Sequence, residues 1–154
     1  MTISTSRAAG AGGDESGDRL ELLALRIGGE IVAREIVSDE RELIEERLRQ
    51  LSDVVGCSLI LTTGGTGVAP RDVTPEATAA VIDREVPGIA EAMREASRPH
   101  TKHWLLSRAT AGIRGSTLIV NFPGSPRAID QTAAAIAPAL PHAMALIAGV
   151  ASDH

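Results

Sequence analysis

Apolar residues along this chain follow two rhythms. Between residues 16 and 27, Leu20, Leu23 and Ile27 recur at intervals of three and four, the spacing of one helix face. Gly28 and Gly29 then stop that helix. Residues 39–51 repeat the pattern, with Leu43, Ile44, Leu48 and Leu51 on one face. Residues 57–61 and 116–122 run almost continuously apolar, as strands covered on both faces do. Residues 31–37 read as a further strand, and residues 1–4 as the stump of a first one. Residues 8–13 read as a flexible loop, and residues 75–84 and 87–97 as two short helices. An alanine-rich helical tail over residues 127–149 is broken at Pro138 and Pro141. Strands alternating with helices predict an α/β domain whose parallel-rich sheet is covered on both faces. No internal repeat or long linker divides it, so residues 1–154 read as a single domain.

A chain of 154 residues is long enough for a real core. No apolar run approaches the roughly 18 residues of a membrane span, and no signal-peptide pattern opens the chain. Cys57 is the only cysteine, which excludes an intrachain disulfide, and a reducing cytoplasm suits it. It lies in an apolar run and reads as a buried thiol. The net charge of −5 argues against a nucleic-acid partner. So do the aromatics, which number only Trp104 and Phe122. An anionic ligand would need a local cationic cluster, for which Arg71, Lys102, Arg108, Arg114 and Arg127 are the candidates.

Chemistry concentrates in residues 62–78, TTGGTGVAPRDVTPEAT. A buried strand precedes a turn at Gly64, Gly65 and Gly67. Glycine there admits positive φ and lets a ligand approach backbone N–H groups. Arg71 and Asp72 follow. Thr74, Pro75 and Glu76 then read as an N-cap hydroxyl, a first-position proline and a first-turn acid. The run is neither a Walker loop, which needs Lys-Ser/Thr after its last glycine, nor a dinucleotide fingerprint, which Pro70 breaks. It suits an anion site with a metal ligand beside it, or a plain strand-to-helix turn.

Other candidates carry two readings each. Asp39 with Glu42 forms a capping-box spacing, and Asp39 also stands at a strand-to-helix junction. Asp72 is a site carboxylate, or it pairs with Arg71 or caps a turn. His100 and His103 could share a metal, but no third ligand has suitable spacing. Gly124-Ser125-Pro126 is not a nucleophile elbow. It reads as a strand-to-helix link with Ser125 at the N-cap and Pro126 at the first helical position, a geometry that also suits an anion.

The glycine run resembles the signature of the molybdopterin adenylyltransferase family: the MoaB/Mog proteins, the G-domain of gephyrin and its plant relatives. Further segments agree in order. Residues 9–12 with 14–17 resemble the loop after the family's first strand, and residues 37–40 its V-x-D-E segment. Residues 106–109 resemble its L-S-R-A segment, and residues 112–119 and 123–126 also fit. The likeness runs from about Ile3 to Gly149. Thr5 departs from it, standing where members often carry Asp, and the first strand is shorter than theirs.

The resemblance implies a three-layer α/β/α domain with one mixed sheet, assembled as a homotrimer. It implies transfer of AMP from ATP to molybdopterin with release of pyrophosphate, and a Mg²⁺ requirement. Asp39 and Asp72 would position Mg²⁺–ATP. Thr63, Gly64, Gly65, Thr66 and Gly67 would cradle phosphate, with Arg71 stabilising charge. Ser107, Gly124 and Ser125 would hold the pterin or its phosphate. Two alternatives are a catalytically idle trimeric scaffold module and a molybdate-insertion enzyme. Retention of Asp39 and Asp72 favours the transferase over the first, and the second would need further domains.

Overall fold

The computed structural model describes residues 1–150, and residues 151–154 of the expected domain lie outside the described residues. The chain begins with strand β1 (Thr2–Ile3), a short helix α1 (Thr5–Ala8) and helix α2 (Glu15–Arg26). Strand β2 (Ile36–Val37), helix α3 (Arg41–Arg49) and a π-helical turn (Gln50–Val54) lead to strand β3 (Leu59–Thr63). Helix α4 (Thr74–Ala79), strand β4 (Arg84–Glu85) and helix α5 (Pro87–Ser97) follow. A 3-10 turn (Trp104–Leu106) precedes strands β5 (Ala111–Arg114) and β6 (Thr117–Phe122), and helices α6 (Pro126–Ile136) and α7 (Leu140–Ile147) close the chain.

The sheet order is β2-β1-β3-β6-β5-β4. Pairings β1–β2, β1–β3 and β3–β6 are parallel, whereas β5 is antiparallel to both its neighbours. The sheet is therefore mixed, with only β5 reversed. The first crossover carries the chain from β1 outward to β2, the second returns it past β1 to β3, and everything after β3 lies on the other side, at β6, β5 and β4. That reversal puts a crevice at the carboxyl ends of β1 and β3, where open α/β sheets bind ligands.

Alternate residues of β6 face opposite layers. Leu118, Val120 and Phe122 join Leu20 and Leu23 of α2, Met93 of α5, Ile129 and Ile136 of α6 and Leu140 of α7. Ile119 joins Ile60, Ile44 and Leu48 of α3, and Ala77 on the other face. This gives the expected three layers. In the second layer Asn121 is fully buried, and its amide donates to the hydroxyls of Thr62 and Thr78 at 3.0 Å each. The amide thus ties β6, β3 and α4 together beneath the glycine turn.

Several elements depart from the sequence reading. Only residues 36–37 of the expected 31–37 strand pair, because their partner β1 is itself two residues long. β3 begins two residues later than expected, at Leu59. The helix expected over 75–84 ends at Ala79, and Arg84 and Glu85 instead pair with β5. Strands β4 and β5 are too short and too polar to show alternation. Ile44, Leu48 and Leu51 are buried as expected, but Leu43 is 40% exposed and belongs to neither core cluster. Gly28 takes φ +83 after α2, the expected helix stop. Cys57 is buried, and burial pushes its thiol above the ordinary value.

Candidate active site

The loops after β1, β2, β3 and β6 all leave the sheet at one edge, and the segment entering β5 joins them there because β5 runs the other way. Asp39, residues 63–67, Asp72, Ser107, Gly124 and Ser125 therefore stand along a single edge.

The glycine turn is fixed from all sides. Gly64 has φ +101, and a Cβ there would lie 2.3 Å from the Ile3 carbonyl oxygen. Its N–H donates to the Phe122 carbonyl at 3.3 Å, and its carbonyl accepts the Thr74 hydroxyl at 2.8 Å. Gly65, φ +63, has its carbonyl on the Thr74 N–H, and a Cβ would meet Thr74 Oγ1 at 2.4 Å. Gly67 lacks positive φ, and a Cβ there would meet Asp72 Oδ2 at 2.7 Å. The glycines are thus required by close packing against the protein itself. Thr74 is not the expected N-cap. It is the first residue of α4, Val73 is the cap, and Pro75 follows Thr74 inside the first turn.

Carbonyls and N–H groups of the turn are used unequally. The Thr66 carbonyl accepts from the Arg108 N–H at 2.9 Å, and the Gly67 carbonyl from Arg108 Nε at 2.6 Å. All four carbonyls from Gly64 to Gly67 are taken. Among the described residues, no protein acceptor meets the N–H groups of Gly65, Thr66, Gly67 or Val68. A loop with its acceptors tied back and its donors open is chemically an anion cradle.

The β6–α6 link repeats this asymmetry. The Pro123 carbonyl accepts the Thr63 hydroxyl at 2.7 Å, and the Gly124 carbonyl the buried Ser16 hydroxyl at 2.8 Å. Ser125 is the N-cap of α6 with Pro126 following, but its hydroxyl makes no cap bond. Ser107 closes the 3-10 turn, and its hydroxyl accepts weakly from the Ala109 N–H at 3.4 Å.

The two carboxylates flank this centre. Asp39 does not cap α3; Glu40 is the N-cap, without a side-chain cap bond. Asp39 Oδ2 instead accepts the Thr5 N–H at 2.7 Å and the Thr5 hydroxyl at 2.9 Å, while Thr5 Oγ1 accepts the Asp39 N–H at 3.1 Å. A carboxylate at position 5 would repel Asp39 there, and the threonine binds it. Asp72 Oδ2 accepts the Ala69 N–H at 2.8 Å, closing the turn before it rather than pairing with Arg71. Each acid keeps Oδ1 free of protein donors. β2 and β3 flank β1, so their ends stand two strand spacings apart, roughly 10 Å. No group of three metal-binding side chains occurs among the described residues.

Of the five candidate cations, Arg114 is turned away, bound to Asp53 and the Val81 carbonyl. Arg108 is committed to the glycine loop and Glu76. Arg71, Lys102 and Arg127 stay exposed.

Comparison with known proteins places this chain in one family. Residues 1–142 match the family model described as "Probable molybdopterin binding domain". The chain belongs to this family. The Helicobacter pylori protein named molybdopterin adenylyltransferase is 48% identical over 115 residues, covering 75% of this chain and 65% of that protein. Its Escherichia coli K12 counterpart is 50% identical over 97 residues, 63% of this chain and 50% of that protein. The matching region thus spans half to two thirds of these relatives. The crystal structure of the molybdopterin biosynthesis enzyme MoaB from Thermus thermophilus superposes with a TM-score of 0.89 at 44% identity, covering 96% of this chain and 93% of that one.

Sequence reasoning missed residues that hold the site from behind. Asp14 caps α2 by accepting the Gly17 N–H at 3.0 Å, and the Thr2 hydroxyl donates to its carboxylate at 2.9 Å. This joins β1 to α2. Its signal was present as the acid opening the 14–17 segment, one position before the helix. Burial pushes the Asp14 carboxyl up, but the Gly17 N–H, the Thr2 hydroxyl and Arg34 outweigh it and hold it below the ordinary value. With the folded pKa below the unfolded one, its stabilisation is complete above about pH 4 and fades as pH falls through the folded value. Asp14→Ala should therefore cost about 1 kcal/mol near neutrality. The difference from wild type in urea unfolding should shrink towards pH 3. A difference independent of pH would remove the charge from this account.

Proposed function

We propose that the protein is a molybdopterin adenylyltransferase, joining AMP from ATP to the terminal phosphate of molybdopterin. The observation that carries this reading is the glycine turn with its carbonyls tied back and its N–H groups open, between two carboxylates. The half-identical relatives named for this reaction support it.

The terminal phosphate of molybdopterin is the nucleophile. Its second pKa is near 6, so it is mostly dianionic at neutral pH and no general base is needed. One phosphate oxygen attacks the α-phosphorus of ATP. A new P–O–P bond forms as the bond from the α-phosphorus to the β-bridging oxygen breaks, and pyrophosphate leaves. The barrier is the meeting of two polyanions. The backbone N–H groups of Gly65, Thr66 and Gly67 hold one phosphate chain in this reading, that of ATP. Gly124 and Ser125, with Ser107, hold the pterin end. Exposed Arg71 meets charge during transfer.

The donor set fits Mg²⁺. This ion binds through one or two carboxylates plus substrate phosphates and water rather than in an all-protein cage. Asp39 and Asp72 each offer one oxygen free of protein donors, and they would hold it. When bound, Mg²⁺ supplies charge neutralisation at the triphosphate. Among the described residues no helix is long and apolar enough to cross a membrane. We place the protein in the cytoplasm as a homotrimer.

Incubation with molybdopterin and Mg²⁺–ATP, with mass detection of the adenylylated product, tests the reaction. Product should form, and Asp72→Asn should slow it at least about 10²-fold while leaving the fold intact. Bound molybdopterin without product would identify an idle binding module, and near-normal turnover in Asp72→Asn would make Asp72 structural.

Light scattering should give three times the 16.0 kDa chain mass. A single-chain mass at micromolar concentration would overturn the trimer.

A further inference from the structure

We propose that Arg108 is a positioning residue that holds the glycine turn in its donor-presenting conformation and does not itself meet the substrate. The proposal rests on the reading of that turn as a phosphate cradle. Arg108 is one of the cations available to an anion at this edge, and its charge alone would make it a ligand-binding arginine. Its contacts say otherwise. Its main-chain N–H donates to the Thr66 carbonyl at 2.9 Å and its side-chain Nε to the Gly67 carbonyl at 2.6 Å. One terminal nitrogen binds the Asp72 carbonyl and the other the Glu76 carboxylate.

The residue therefore reaches the turn at Thr66 and Gly67, the segment after it at Asp72, and the first turn of α4 at Glu76. Three of these four acceptors are backbone carbonyls. In a planar trans peptide a carbonyl and the N–H of the next residue point opposite ways, so holding the Thr66 and Gly67 carbonyls turns the Gly67 and Val68 N–H groups outward. A guanidinium suits the task, because its planar fork donates in several fixed directions, whereas an ammonium is a single point. Glu76 supplies the counter-charge. Its hydrogen bond to Arg108 holds its carboxyl below the ordinary value.

Arg108 is itself anchored. It lies just before β5, and the carbonyl of its neighbour Ala109 accepts from Arg94 of α5 at 3.0 Å. The arginine thus transmits the position of β5 and α5 to a turn that belongs to β3. Asp72 is positioned by the same contact. With its main chain held by Arg108 and its Oδ2 on Ala69, its remaining oxygen has a defined place.

Arg108→Ala and Arg108→Lys, each compared with wild type by amide NMR without ligand and by Mg²⁺–ATP titration, test this. The lysine variant guards against an alanine variant that fails to fold. The main-chain bond to Thr66 survives both substitutions, so the Val68 amide, in one peptide unit with the released Gly67 carbonyl, should move or broaden most, with Gly67 beside it, while the resonances of β3 and β6 stay in place. ATP affinity should fall at least about tenfold. Added guanidinium ion should restore part of the affinity of Arg108→Ala, a recovery that a general loss of stability would not show. Unchanged loop resonances in either folded variant would overturn the proposal. So would full ATP affinity in Arg108→Lys, since charge alone would then suffice. If the loop resonances move but wild type binds no ATP, the positioning role stands and the transferase reading falls.

Discussion

Everything at the site depends on one crowded point, the α-carbon of Gly64. Three parallel strands end around it. A side chain there would occupy the space of the Ile3 carbonyl at the end of β1. From the other side, a Cβ on Gly124 after β6 would lie 3.5 Å from that same α-carbon. The Gly64 N–H is bound to Phe122 of β6. Because no side chain intervenes, the loops following β1, β3 and β6 meet at backbone distance. Positive φ at Gly64 and Gly65 then turns the chain over Thr74 and into α4.

From that crossing the chemistry follows by elimination of acceptors. Thr74, Arg108 and the packing of the turn consume its carbonyls, while Thr63 and Ser16 consume those of the β6 link. Two loops are left with surplus donors facing a shared edge. A net charge of −5 had made an anionic substrate look unsuited to this chain. In the proposed reading the answer lies in backbone dipoles and not in a cluster of cations. Arg108 and Arg114, the two most engaged candidates, serve the scaffold.

The layered fold was legible because long helices carry a strong period and buried parallel strands carry continuous apolar runs. Leu20, Leu23, Ile44 and Leu48 were enough to predict α2 and α3. What stayed hidden was short. β1 was legible as a stump and β2 as a longer strand of which only two residues pair, but β4 exists only through its pairing with β5, and no local pattern could announce it. At the site, the types and order of the polar residues were legible, but their partners were not. Asp39 was ambiguous with a helix cap because both uses need an acid after a strand. Only the structure removes the cap, with Glu40 at the N-cap and Asp39 bound to Thr5, distant in sequence. The glycines were legible as a turn, and the reason for each lay in atoms of Ile3, Thr74 and Asp72.

The central claim is that the open N–H groups of the glycine turn hold a phosphate chain. Titration of nitrogen-labelled protein with Mg²⁺–ATP addresses it at the atoms concerned. The account predicts saturable movement of the amide resonances of Gly65, Thr66, Gly67 and Val68, larger than that of any group on the opposite edge of the sheet. ATP that binds while those four resonances stay fixed would contradict it.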